Sequence, residues 1–71
     1  MSLADRLRAH RQAAGLSQEA LARLTNLSVN TIRSIEWGHS QSPGVKTIQE
    51  ISRALGVSLS DLLDGTDYDT R

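Results

Sequence analysis

The sequence predicts an all-α fold: a compact bundle of five short helices in which helices two and three form a helix-turn-helix. Apolar residues recur at helical spacing along the chain, whereas the strict alternation typical of a half-buried strand is absent. Serines precede most of these periodic segments and glycines follow most of them, as expected at helix ends. The 71 residues suffice for one domain, which we expect over residues 1–65, with a flexible acidic tail at residues 66–71.

Helix one is predicted from about Leu3 to Ala14. Ser2 is a suitable N-cap, and Asp5 stands where a capping box requires an acidic residue. Gly15 is expected to end the helix because glycine readily adopts the left-handed conformation found after helix C-termini. The apolar stripe of this helix is formed by Leu3, Leu7 and Ala14.

Helix two is predicted from the N-cap Ser17 to about Leu24, with Leu21 and Leu24 facing inward. A short turn follows at residues 25–27. Its central residue, Asn26, stands where the chain must reverse, and asparagine tolerates the left-handed conformation better than most residues.

Helix three is predicted after Ser28 and continues to about Trp37, where Gly38 stops it. Ile32 and Ile35 are expected to face the core. Two helices joined by a short turn in this way form a helix-turn-helix unit.

The last two helices follow a polar loop at residues 39–44. Helix four is predicted over about Val45 to Leu55, with Gly56 as its stop. Helix five begins after Ser58, and Asp61 completes a second capping box. Apolar residues at helical spacing face the core: Ile48, Ile51 and Leu55 in helix four, and Leu59, Leu62 and Leu63 in helix five.

Two charged residues interrupt these apolar stripes. Arg11 lies four residues after Leu7 in helix one, and Glu36 lies four residues after Ile32 in helix three. A lone charge on an apolar face is unfavourable unless it is paired. Because the two charges are opposite, we predict an Arg11–Glu36 ion pair that joins helix one to helix three. The alternative is that both side chains extend to solvent.

The composition excludes several classes of protein. There is no cysteine, hence no disulfide framework or cysteine zinc site. No apolar run approaches the roughly 20 residues of a membrane span, and the N-terminus lacks signal-peptide order, so a cytoplasmic protein is expected. His10 and His39 are isolated and are expected at the surface, so neither a metal nor a cofactor is predicted. Nothing in the sequence indicates the paired acids or nucleophile–base arrangement of an enzyme.

The charge is balanced overall but unevenly distributed. Residues 1–39 carry five arginines against three acidic residues, and residues 40–71 carry three basic residues against five acidic ones. Such a chain can present a modestly basic face to phosphate, although it is far from a strongly basic protein.

Three segments in order carry a family resemblance: GLSQEALA at residues 15–22, LSVNTIRSIEWG at residues 27–38 and LGVSLSDLL at residues 55–63. Together they resemble the lambda-repressor-like, Cro-type helix-turn-helix family over about residues 3–65. The resemblance implies double-stranded DNA as the partner, bound by a homodimer. It also implies a paired arginine and glutamate at positions 11 and 36, in agreement with the pair predicted from periodicity.

A helix of this kind enters the major groove with its N-terminal residues at the base edges. The outward residues of helix three predict the base contacts. Asn30 can bond adenine, Arg33 can bond guanine and Val29 can touch a thymine methyl group. The predicted base-contact set is Ser28, Val29, Asn30, Arg33 and Ser34, and the alternative is that these residues are merely solvated.

Phosphate contacts are predicted from helix two and from the loop after helix three. In the family the glutamine corresponding to Gln18 contacts a phosphate; the alternative is an exposed glutamine without a role. Trp37 either packs over its own loop or donates its indole N–H to a phosphate. The predicted phosphate-contact set is Gln18, Trp37, His39, Ser40 and Ser42. Relatives often carry lysine or arginine in this loop, so we expect weak non-specific binding and dependence on dimerisation.

The predicted function is that of a sequence-specific transcriptional regulator that reads a palindromic operator. The alternative is a protein-interaction module of the same fold, for example an antitoxin-like one, with little or no DNA binding. Neutral net charge favours the alternative, and Asn30 and Arg33 oppose it. The apolar residues of helix five, Leu59, Leu62 and Leu63, are candidates both for the dimer contact and for the core of the monomer.

Overall fold

The computed structural model describes residues 2–38 and 43–66, and within these residues the backbone forms five α-helices and no strand. The predicted all-α class is therefore confirmed, and the predicted helix ends lie within about one residue of the observed ones. The helices are α1 (Leu3–Ala13), α2 (Gln18–Thr25), α3 (Val29–Glu36), α4 (Val45–Leu55) and α5 (Leu59–Leu63).

Four serines begin four of these helices. Each has an extended backbone, and its hydroxyl accepts a hydrogen bond from the backbone N–H three residues later, at 3.0–3.2 Å. This bond satisfies one of the amides that have no partner inside a helix. The capping serines are Ser2, Ser17, Ser28 and Ser58, as predicted. Helix α4 differs because its N-cap is Gly44, which offers no side-chain oxygen.

A single hydrophobic core joins all five helices. Helix α3 packs against α1 and α2, while α5 packs against α1 and α4. Helix α4 also packs against α2, so the helix-turn-helix rests on both flanking parts of the chain. The buried apolar residues are Leu3, Leu7, Leu21, Ala22, Ile32, Ile35, Ile48, Ile51 and Leu62.

Two predicted core residues are not in the core. Leu24 is 61% exposed, because Leu21, Ala22 and Thr25 form the inward arc of α2 and Leu24 lies outside it at 100° per residue. Ala14 is exposed and is the C-cap of α1, which ends at Ala13, so it does not continue the buried stripe of Leu3 and Leu7.

Candidate nucleic-acid interface

The turn between α2 and α3 is held by backbone bonds. Asn26 adopts the predicted left-handed conformation, with φ of 60°, and its N–H donates to the carbonyl of Ala22. The N–H of Leu27 donates to the same carbonyl at 3.2 Å. The hydroxyl of the buried Thr25 donates back to the carbonyl of Leu21 at 2.9 Å. These bonds fix the point at which α3 leaves α2.

Helix α3 turns one side to the core and the other to solvent. Ile32, Ile35 and Glu36 are buried, with Glu36 only 2% exposed. On the opposite side Asn30 is exposed, and Ser34 is half-buried next to it. The side chains of α3 that are free of the core therefore form a polar strip on the solvent-facing side of the helix.

The remaining predicted base-contact residues lie at the beginning and along one edge of this strip. Ser28 is exposed, but its hydroxyl caps the helix and also lies 2.9 Å from the hydroxyl of Thr31. Val29 is half-buried and packs partly against the core. Arg33 is half-buried at the edge that faces α2.

Arg11 and Glu36 form the ion pair predicted from helical periodicity. The Arg11 Nε donates to Glu36 Oε2 at 2.6 Å, and the Arg11 Nη2 donates to Glu36 Oε1 at 3.0 Å. The third donor, Nη1, bonds the carbonyl of Leu16 at 2.8 Å. Bidentate geometry of this kind is the strong form of an arginine–carboxylate contact. The bond to Glu36 raises the pKa of Arg11 above its ordinary value, so the guanidinium stays charged.

Gln18 extends this contact toward the exposed side of α3. Its Nε2 donates to Glu36 Oε1 at 3.1 Å, and its Oε1 accepts from Arg33 Nε at 3.4 Å. Sequence reasoning placed Gln18 only against DNA phosphate and missed both bonds. The signal was available, since Gln18 lies three and four residues before Leu21 and Ala22 and so shares the buried face of α2.

Two further arginines of α1 bond backbone carbonyls elsewhere in the fold. The Arg8 Nη2 donates to the carbonyl of Glu36, at the last residue of α3, at 3.0 Å. An Nη of Arg6 donates to the carbonyl of Asp61 in α5. The sequence indicated these arginines only as surplus positive charge, whereas both join α1 to another helix.

The end of α3 leads to the predicted phosphate-contact loop. Trp37 is the C-cap of α3 and is 68% exposed, beside Gly38 in the left-handed conformation with φ of 78°. Three other predicted phosphate-contact residues, His39, Ser40 and Ser42, lie outside the described residues. The predicted tail begins at Thr66, and its residues 67–71 also lie outside them.

The described residues offer little to a metal ion. Over residues 2–38 and 43–66 no three His, Cys, Asp or Glu side chains are grouped as metal ligands. His10, expected at the surface, is half-buried, and its Nε2 is enclosed without a hydrogen-bond partner. None of the described helices is long and apolar enough to cross a membrane.

Comparison with known proteins agrees with this architecture. A family model described as helix-turn-helix, HTH_3, matches residues 7–62. The chain is similar to the HTH-type transcriptional regulator DdrOP3 of Deinococcus deserti, with 32% identity over 68 residues, which is 96% of this chain and 52% of the relative. It therefore spans about half the length of that curated relative.

Two solved structures share the fold over most of both chains. The restriction-modification controller protein C.AhdI from Aeromonas hydrophila superposes with a TM-score of 0.80 and 33% identity, over 84% of this chain and 89% of that one. The P22 c2 repressor, in complex with synthetic operator 9T, superposes with a TM-score of 0.81 and 28% identity, over 92% and 97%. The chain thus belongs to the helix-turn-helix family HTH_3, of the lambda-repressor and Cro type.

Proposed function

We propose that this chain is a sequence-specific, DNA-binding transcriptional regulator that acts in the cytoplasm and reads a palindromic operator as a homodimer. The observation that carries the proposal is the polar, solvent-facing side of α3, a helix whose other side is anchored in the core. A major groove about 12 Å wide admits one α-helix of this kind.

Base contacts are assigned to the residues on and beside the exposed strip. Asn30 is exposed and can bond the N6 and N7 atoms of adenine, while Arg33 can bond O6 and N7 of guanine. The exposed part of Val29 can touch a thymine methyl group. Ser28 and Ser34 complete the predicted set from the two ends of the helix.

Phosphate contacts are assigned to both sides of α3. Helix α2 crosses the DNA backbone in this docking geometry, so its first turn and Gln18 approach one phosphate. Trp37, the C-cap of α3, is assigned to another phosphate, and His39, Ser40 and Ser42 stay predicted phosphate contacts. This set contains no lysine or arginine, so the affinity for random DNA is expected to be low and the salt dependence shallow.

The relatives support this assignment by what their names state. One is called a transcriptional regulator, one is a restriction-modification controller, and the P22 c2 repressor is seen bound to an operator. A symmetric dimer binds half-sites whose centres lie about 34 Å apart, one turn of the duplex. Leu62 is fully buried within the monomer, so of the α5 candidates only the half-buried Leu59 and Leu63 are available to a dimer contact.

Selection of bound sequences from a random duplex library tests the proposal. We expect enrichment of two inverted half-sites one turn apart, with two chains per duplex by sedimentation. Asn30→Ala with Arg33→Ala is expected to abolish the enrichment. The matched control, Gln49→Ala with Arg53→Ala, removes an amide and a charge from exposed positions of α4 and is expected to keep it.

No enrichment by the wild-type chain, even at low salt, would contradict the proposal. It would favour the alternative of a protein-interaction module. One observation already favours that alternative: four of the five arginines in residues 1–39 donate hydrogen bonds to acceptors within the protein, which leaves fewer of their donors for DNA.

A further inference from the structure

We propose that Gln18 is a positioning residue that directs the Arg33 guanidinium toward its base. This inference rests on the proposed DNA-binding function and adds a specific role for Gln18, which the family resemblance assigns only to phosphate. Four side chains carry it in a continuous series: Arg11, Glu36, Gln18 and Arg33.

The chemistry of its two neighbours sets the orientation of the Gln18 amide. A carboxylate only accepts hydrogen bonds and a guanidinium only donates them. The NH₂ group must therefore face Glu36, where the distance is 3.1 Å, and the oxygen must face Arg33, at 3.4 Å. A flipped amide would place its oxygen against the carboxylate and its NH₂ group against the guanidinium. The amide is thus held in one orientation.

The series is anchored at its buried end. Glu36 is 2% exposed and receives two bonds from Arg11, which itself bonds the Leu16 carbonyl. Gln18 is therefore attached to a point that is fixed by the packing of α1 against α3. Its oxygen occupies a defined position at the edge of α3.

Arg33 is held through Nε, the nitrogen nearest its own backbone. Its two terminal nitrogens have no hydrogen-bond partner among residues 2–38 and 43–66. These two nitrogens form the fork that bonds guanine in the bidentate mode. A contact at Nε therefore restricts the conformations of the Arg33 side chain while it leaves both terminal nitrogens free for guanine. The side chain then loses less conformational entropy when it binds DNA.

A purely phosphate-binding Gln18 would behave differently. Phosphate contacts carry no direct sequence information, so their loss weakens all duplexes alike. Loss of a positioning residue weakens only the duplex that contains the guanine read by Arg33. It also has no effect once Arg33 itself is gone.

A double-mutant cycle on the full chain separates these two roles. Gln18→Met keeps the length of the side chain and removes both hydrogen bonds, while Arg33→Ala removes the recognised group. The base pair read by Arg33 is identified as the one whose preference disappears in Arg33→Ala. Dissociation constants are then measured by fluorescence anisotropy on the selected operator and on a duplex in which that base pair has been exchanged for another. Gln12→Met, at an exposed position of α1, is the matched control.

We expect Gln18→Met to weaken operator binding by about fivefold, the size of one ordinary hydrogen bond. In the Arg33→Ala background, and on the exchanged duplex, only the part of the loss that comes from the phosphate contact of Gln18 should remain, which we expect to be less than twofold, by the logic of coupled sites. Thermal melting should show an intact fold, because Glu36 keeps both bonds to Arg11.

An equal loss in both backgrounds and on both duplexes would overturn the inference and leave Gln18 as a phosphate contact. The inference would also be overturned if the wild-type chain selects a DNA sequence but the Arg33→Ala variant keeps every base preference of the wild type. In both cases the proposed regulator function survives. A wild-type chain that selects no sequence overturns that function, and the role of Gln18 falls with it.

Discussion

The polar side chains of helices α1 and α3 differ in whether they bond other parts of the protein or remain available to solvent. Arg6, Arg8 and Arg11 of α1 all donate to acceptors within the protein, on α3, on α5 or in the turn before α2. On α3, Asn30 is exposed, and within residues 2–38 and 43–66 the one hydrogen bond of the Arg33 side chain is the 3.4 Å contact from its Nε to Gln18. The arginines of α1 join helices, whereas Asn30 and the terminal nitrogens of Arg33 remain available to a ligand.

The comparison shows that the number of basic residues is a poor measure of a DNA-binding surface in so small a domain. The surplus of arginine over acid in residues 1–39 derives largely from α1, where the guanidinium groups donate hydrogen bonds to other parts of the fold. We therefore expect the affinity for DNA to depend on a few well-placed side chains of α3. Four measurements test that division.

The largest effect is expected for Arg11→Ala. This change leaves the carboxylate of Glu36 buried without its main partner, which should lower the free energy of unfolding by about 3–5 kcal/mol. A domain of this size has little more than that in total, so the variant is expected to be largely unfolded. Urea denaturation followed by circular dichroism measures the loss.

The control is Arg23→Ala, which removes the same charge from an exposed position of α2 and should change stability by no more than about 0.5 kcal/mol. Equal losses in the two variants would show that the buried pair adds nothing. Arg11→Met combined with Glu36→Leu is expected to recover much of the stability, since an apolar pair avoids the cost of burying charge.

The next effect is expected for Arg33→Ala, and it falls on binding rather than on folding. Loss of a bidentate base contact should weaken operator binding by about 1–3 kcal/mol, while the free energy of unfolding changes by about 0.5 kcal/mol or less. Anisotropy titration and urea denaturation of the same sample give both numbers. A large loss of stability with unchanged affinity would place Arg33 with the arginines of α1.

A smaller effect is expected for Arg8→Ala. Loss of the charged bond to the Glu36 carbonyl should cost about 1.5 kcal/mol of stability. The slope of log K against log salt concentration should stay the same, because this arginine contacts protein and not phosphate. The titration is repeated at several salt concentrations. A slope that becomes shallower by about one would instead identify Arg8 as a phosphate contact.

The features predictable from the sequence are those set within one turn of a helix. The capping hydroxyl of Ser17, the left-handed Asn26 and the stop at Gly38 depend only on neighbouring residues. The Arg11–Glu36 pair was also predictable, because two opposite charges on buried stripes have few other means of being satisfied.

The features missed depend on how helices sit against each other. The bond from Arg8 to the Glu36 carbonyl joins residues 28 apart, and the contact of Gln18 with Arg33 requires the angle between α2 and α3. Helical spacing places Gln18 on the buried face of α2, but it identifies neither the partner of Gln18 nor that of Arg8. The prediction that Leu24 faces inward was wrong for a different reason. The inward arc of the eight-residue helix α2 is narrow, and Thr25 occupies the buried position instead. Thr25 can be buried because its hydroxyl donates a hydrogen bond to the carbonyl of Leu21.

The smallest expected effects come from two capping serines that separate folding from binding. Ser28→Ala and Ser58→Ala each remove an N-cap bond of 3.0–3.1 Å and should each cost about 1 kcal/mol of stability. Only Ser28 begins the helix proposed to enter the groove, so only Ser28→Ala should weaken operator binding, by about threefold for one weak polar contact. Denaturation and anisotropy are measured for both variants. Equal weakening of affinity would mean that the loss follows helix stability, and Ser28 would then be removed from the base-contact set while its role as a cap remained.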